Sequence, residues 1–596
     1  MKFIFLIILF FPVLMYSQQV AESDSTKKAK IIIYNSENTL MERKNDNLTK
    51  YMYGNVKIYH DSTYFYADTA ILDDKENLFA YGNIIILQHD SIKIFCDTLR
   101  YNGYSMIAKL TGKVLLENGE KQLKSNKLIY DVHNKIGKYD TGAKLIQNNS
   151  VLKSKIGIYY LNDSLIQFRY NVSIVDSSFI LHTDSLDFFT EIKKAVFLGP
   201  TVINKDSVII YCESGYYDLL NNNALFEKNA VYKKNKTRAE AEKMFYIDSL
   251  KQYLLINNAR YNDENIKAKA DTIIHNIKDE TSILIGNAFL ETKEQKAKSH
   301  KIIYYHKEDR FISEGDGFVI NNEKLISAKF LNYSKKTGKG HAKGHVYYQD
   351  TVSNIIIKGF EMDIDENKDY MKCYGDTTDK LLIMIFDKND TTYITADTLL
   401  SYRQIQQEDT TRYFKIYNNV KIFNKDYQSI NDSMIYNIND TSYVLYNNPV
   451  LWSDSTQITG DTINIMMKNK SIDNIYSREN AMIVDMVAED LFNQIKGNKI
   501  RAYFVKDSLD NMTVNGNSEV VYYMLDDNDA LLGTIKTICS NIDFKFKNNQ
   551  IKDIKFYVDP KSKFIPIKKE ILNPQRLDKF QWLEDKRPKN KYYILE

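Results

Sequence analysis

A turn-like position recurs about every 29 residues along most of this 596-residue chain, and that periodicity limits what it can fold into. The position is held by Gly54, Gly82, Gly112, Gly142, Tyr170, Gly199, Lys228, Asn257, Gly286, Gly315 and Gly344. From Tyr170 onward each step is 29, and the early one- or two-residue deviations cancel. The pattern continues less regularly at Gly375, Asn418, Asn447, Glu479 and near Gly516. A period between 20 and 50 residues is the mark of a stacked array. Such an array grows in one dimension, so chain length gives no separate count of domains.

Each repeat has the same internal order. Gly54-Asn55, Gly82-Asn83 and Gly286-Asn287 open it, and alternating side chains follow, as in Val56-Lys57-Ile58 and Val172-Ser173-Ile174. Alternation with period two predicts a strand with one buried face. A second turn is expected at Asp61-Ser62, Asp90-Ser91, Asp176-Ser177 and Asp206-Ser207, where short polar side chains can bond nearby backbone donors. The next strand carries a column of small residues (Ala67, Cys96, Ser125, Ser154, Thr183, Cys212, Ala270, Ser299, Ala328), which implies tight packing at a bend or between facing sheets. It also carries an aromatic column (Tyr130, Phe188, Tyr217, Tyr246, Tyr304, Tyr333), with His275 in register and a structural ladder as its expected role. Helical periodicity is not found. The segment from Arg238 to Phe245 reads as helical locally, but it lies in register with neighbouring strands and is assigned as strand.

Composition agrees with a long sheet. Tyr 44 and Phe 29 suit a pleated surface, and 7 prolines leave the ladder donors intact. A net charge of +3 gives no nucleic-acid footprint. Lys2 followed by apolar residues to Met15 predicts a secretory signal over 1–17, too short for a membrane span. A polar lead-in is expected over 18–45, a regular repeat block over 46–375, a less regular one over 376–545, and a tail over 546–596 holding four of the prolines. No nucleophile elbow, phosphate loop or metal-ligand set stands out, so neither an enzyme nor a cofactor is expected. The recurring Asp68, Asp97, Asp184, Asp271 and Asp397 are assigned to turns and solvated faces. Cys96 and Cys212 lie four periods apart, too far in a stack to be joined.

The unit Gly54-Asn55-Val56-Lys57-Ile58 followed by Ala67-Asp68-Thr69, echoed at Ala270-Asp271-Thr272 and Ala396-Asp397-Thr398, resembles the OstA-like family. That family is related to the periplasmic lipopolysaccharide transport protein LptA and to the soluble part of LptD. The resemblance covers roughly residues 46–545. It implies an all-β fold, an elongated β-jellyroll or solenoid-like stack, here of about sixteen repeats, with lipid A acyl chains in an apolar groove. It further implies a periplasmic protein that docks by strand edges to other jellyroll-containing Lpt components. The stretch after the repeats is too short for a transmembrane barrel, so a peripheral role at the outer membrane is expected. The groove-lining candidates are Val56, Ile58, Ile84, Ile86, Val114, Leu116, Val172, Ile174, Val346, Val420 and Ile422. The alternative is an exported structural or adhesive β-solenoid without lipid. A lipid carrier requires an apolar interior open along one side, whereas a structural solenoid requires a closed, packed one.

Overall fold

The computed structural model describes residues 30–595, apart from 45–46, 90, 322, 387–389, 407–408, 469–470, 506–507, 527–529, 548–549 and 567–573. The expected signal segment lies outside the described residues. Within them the chain forms 44 strands, three short 3-10 turns and no α-helix. Two compact units are present, one up to Asp206 and one from Ser207. This division falls inside the run expected to be regular.

In the N-terminal unit, Asn47–His60, Thr63–Leu72, Asn77–Gln88, Ile92–Asn102, Ile107–Asn118 and Lys121–Asp131 pair antiparallel in chain order. Their registers break at one recurrent place. Tyr81 pairs with Thr98 and Ile84 with Cys96, so Gly82 and Asn83 stand opposite the single residue Asp97. This is a β-bulge, which bends the strand and increases its twist. Gly82 and Asn83 have φ of 75° and 40°, a left-handed conformation that Gly and Asn adopt at low cost. The Gly-Asn phrase is thus a bend inside a long strand rather than a turn between strands. Asn83 Nδ2 donates to Asp68 Oδ2 at 2.9 Å, so the recurring carboxylates brace the bulges from outside. The small column sits beside the bend, where Ala67 faces Val56, Cys96 faces Ile84 and Ser125 faces Val114.

Aligned bends divide the strands into two leaves joined along the bulges. Apolar residues alternate inward on both: Ile84, Ile86 and Ile94 on one, Leu78, Ala80 and Leu99 on the other, each at most 2% exposed. The hairpin turns form the free tips of the leaves. The lead-in expected over 18–45 is strand in its described part: Ile32–Asn35 and Asn38–Lys44 both pair with Asn47–His60. Pairing with that neighbour supplies the order that composition does not signal.

The C-terminal unit repeats this construction. Thr237–Ile247, the helical-looking segment, is a strand, and its Glu242 stands opposite the bulged Lys228 and Asn229 of Asn223–Lys234. Its later strands are longer, as in Ser471–Ala488, Leu491–Val505, Ser508–Leu525 and Leu531–Lys547. Between the leaves Ala481, Val520 and Cys539 meet Ile500, Met512, Val514 and Ile542. On the other side of the first leaf, Met482, Val484, Phe492 and Val521 pack against Leu577, Phe580 and Trp582 from the chain's last segment. Ladder pairing extends to Lys561–Pro566, and residues 574–595 then fold back over the sheet.

Candidate functional site

The eleven candidate groove positions all point inward. Val56, Ile58, Ile84, Ile86, Val114, Leu116 and Val172 are 0–2% exposed and Ile174 is 7% exposed in the N-terminal unit. In the C-terminal unit Val346, Val420 and Ile422 are 0–2% exposed. The N-terminal set lies on one leaf, and strand pairing puts Ile86 beside Ile94 and Ile94 beside Leu116. Residues between them point out: Lys57 Nζ lies 4.8 Å from the Tyr64 ring centroid on the outer face. The facing leaf, with Leu78, Leu99, Leu110, Leu128 and Phe168, was not in the sequence-derived set. Its signal was present as alternation before each Gly-Asn, such as Leu78 and Ala80 before Gly82.

A lipid carrier requires an interior open along one side; in this structure the lining residues are shut away from solvent. Side chains of the two leaves fill the space themselves, because apolar surface facing water across a slit would cost about 25 cal/mol per Å².

At the tips of the N-terminal unit, polar groups join the leaves. His60 Nδ1 lies 2.7 Å from the Tyr101 hydroxyl. The Tyr130 hydroxyl donates to Gln88 Oε1 at 2.5 Å, while Gln88 Nε2 donates to the Val132 carbonyl at 2.7 Å. Asn118 Nδ2 donates to the Tyr159 hydroxyl at 3.1 Å, and Lys121 Nζ donates to Thr190 Oγ1 at 2.7 Å. Tyr101, Tyr130 and Tyr159 are one period apart, so each repeat supplies one clasp. Burial pushes all three phenols above their ordinary pKa, so they stay protonated. Burial also lowers the Lys121 ammonium, against the opposing pull of Glu191.

In the C-terminal unit the aromatic column continues but bonds differently. Tyr246, Tyr304 and Tyr333 donate to Asp248, Asp309 and Glu366, at 2.7, 2.8 and 2.8 Å. His275, in the same column, lies 3.0 Å from Ser282 Oγ, which lies 2.8 Å from His306 Nε2. His341 and His345, on either side of Gly344, contact Asp363 and Asp379 at 2.8 and 2.7 Å. None of the four cysteines, Cys96 and Cys212 included, forms a disulfide, and all are buried. Burial pushes the Cys96 and Cys373 thiols up to about 12.

Part of the chain matches known protein families. Residues 28–184 match the profile of the OstA-like protein family. Residues 161–281 and 260–310 match that of the LptA/(LptD N-terminal domain) LPS transport protein family. No curated protein matches the chain. Residues 28–310 of this chain are thus similar to the OstA-like and LptA/LptD N-terminal families of lipopolysaccharide transport proteins.

Proposed function

We propose that this chain carries lipopolysaccharide in the periplasm toward the outer membrane, holding the lipid A acyl chains between the two leaves. The supporting observation is the continuous apolar lining of the N-terminal unit, closed at its tips by one polar clasp per repeat. A clasp hydrogen bond contributes about 1 kcal/mol net, so the leaves can separate repeat by repeat. An entering acyl chain restores the apolar burial that opening removes, and successive repeats offer similar sites along the path. Among the described residues, no helix is long and apolar enough to cross a membrane. The first strands provide a docking edge for another jellyroll. Among the described residues Asn38–Lys44 pairs with Asn47–His60 alone, and Leu40 and Met41 are 60% and 62% exposed. An open edge of this kind pairs readily with another strand.

The test is a photo-crosslinking side chain at Ile86 or Leu116, which should capture lipopolysaccharide in cells. The same probe at Lys57 or Ser173, on the outer face, should capture little. Equal labelling of both sets would remove the enclosed path. The packed interior also favours a second reading, a structural β-stack without lipid. Absence of labelling at all four positions in folded protein would select it.

A further inference from the structure

Residues 574–595 cross the outer face of a leaf in the C-terminal unit, and a row of glutamines holds them there. Gln494 Nε2 donates to the Gln575 carbonyl at 2.8 Å, and its Oε1 accepts from the Leu577 N–H at 2.7 Å. Gln457 does the same to the Gln581 carbonyl and the Leu583 N–H, at 2.8 and 2.7 Å. Gln428 Oε1 accepts from Arg587 Nε at 2.8 Å. Gln457 and Gln494 lie two strands apart, with Ser471–Ala488 between them, a step of about 9.6 Å. The matching tail phrases, Gln575-Arg576-Leu577 and Gln581-Trp582-Leu583, are six residues apart. The Phe580 N–H donates to the Leu577 carbonyl at 3.2 Å, and this turn shortens the tail so that each phrase meets one glutamine.

A side-chain amide that donates to one carbonyl and accepts from the N–H two residues on does what a neighbouring strand would do. It reads extended backbone whatever the side chains. Selectivity comes from a few anchors: Leu577 is 3% exposed, and the Phe580 and Trp582 rings lie 5.3 and 5.1 Å from Phe492. The Arg576 guanidinium is 5.0 Å from the same ring and bonds Asp490 at 2.8 Å. Between anchors the tail is exposed, as at Asp578, Lys579, Asp585 and Lys586. It also lies outside the strand order, so lifting it breaks no ladder.

We infer that this outer face is a peptide-docking surface and that residues 574–595 are an exchangeable occupant, supplied either by the same chain or by a second copy. Exchange of an identical segment between copies is a low-cost route to a dimer. The inference is independent of any lipid cargo.

Complementation between two full-length variants tests it. One carries Leu577→Asp and Trp582→Asp, which weaken the tail; the other carries Gln457→Ala and Gln494→Ala, which weaken the face. Each alone should be monomeric by light scattering. Mixed, they should form a 1:1 complex, because one intact face meets one intact tail. A labelled peptide of residues 574–595 should bind the tail variant at least tenfold more tightly than the face variant. Failure of both readouts in variants that keep their β circular dichroism would overturn the inference. Loss of the folded state in the tail variant would overturn it too, by making the segment a fixed portion of the core.

Discussion

Replacing Tyr130 by Phe isolates the clasp from the packing around it. The ring stays, and only the hydroxyl that donates to Gln88 is lost. Tyr130 is 0% exposed and Gln88 4%, so water cannot readily reach the orphaned Oε1 while the leaves are closed. A buried acceptor without a partner costs about 1–3 kcal/mol. In the open state water satisfies the same oxygen, so the cost falls mainly on the closed state. A differential of about 1.4 kcal/mol raises the open fraction tenfold. Urea denaturation should show the loss of stability, and a photo-probe at Ile86 should show several-fold more lipopolysaccharide labelling in the Tyr130→Phe chain. Tyr246→Phe is the control, since that hydroxyl bonds the nearby Asp248. It should cost stability without raising labelling at Ile86. If Tyr130→Phe loses stability and labelling stays at the parental level, the clasp is structural and the gating argument fails.

The bulge gives a second expectation. Gly112 has φ of 79° and lies against the Asp97 side chain, so Gly112→Val should destabilise the N-terminal unit by about 1–3 kcal/mol, read as a lowered melting temperature. The histidine pair gives a third. Burial holds His275 and His306 below their ordinary pKa, with Glu280 opposing at both and Asp263 opposing at His306. The unfolded chain therefore binds these protons more readily, and stability present above about pH 6.5 should decline as pH falls below it. His306→Gln should flatten that decline in urea midpoints measured from pH 7.5 to 5, and an unchanged slope would assign the acid sensitivity elsewhere.

Much of the architecture was legible because side-chain alternation and the Gly-Asn phrase report directly on backbone geometry. Val56 and Ile58 point inward because they fall on the even positions after a bulge, a rule readable from one repeat; after Gly142 it shifts, and Leu145 on an odd position is the buried residue. The facing leaf is less legible because its alternation precedes the glycine, as Leu78 and Ala80 precede Gly82. The clasps were hidden for another reason. His60, Gln88 and Asn118 stand next to hairpin turns, where a polar residue ordinarily serves the turn, and their partners lie 41 or 42 residues away. No local pattern reveals a bond of that separation. The closed interior was also illegible, since an apolar face lining an open groove and one packed on its partner leaf have the same sequence.

The irregularity after Gly375 has a physical cause in what covers the sheet. A leaf with one face in water alternates, as Asn77–Gln88 does, with Leu78, Ala80, Ile84 and Ile86 buried and their neighbours more exposed. A leaf covered on both faces has no reason to alternate. Val450, Leu451 and Trp452 are buried in succession, as are Leu491 with Phe492 and Val520 with Val521. Val520 packs between the leaves and Val521 on the side that residues 574–595 cross, where Leu491 and Phe492 both lie. The weakened repeat signal and the fold-back of the last segment are therefore one phenomenon. This also bears on motion. A leaf wet on its outer face can swing against its partner by giving up tip contacts and the packing between the leaves, with no outer cover to displace. A leaf strapped across several strands must either move with its strap or release it first. Opening for cargo is thus easiest where alternation is clean, and the probes at Ile86 and Leu116 sit in that kind of leaf.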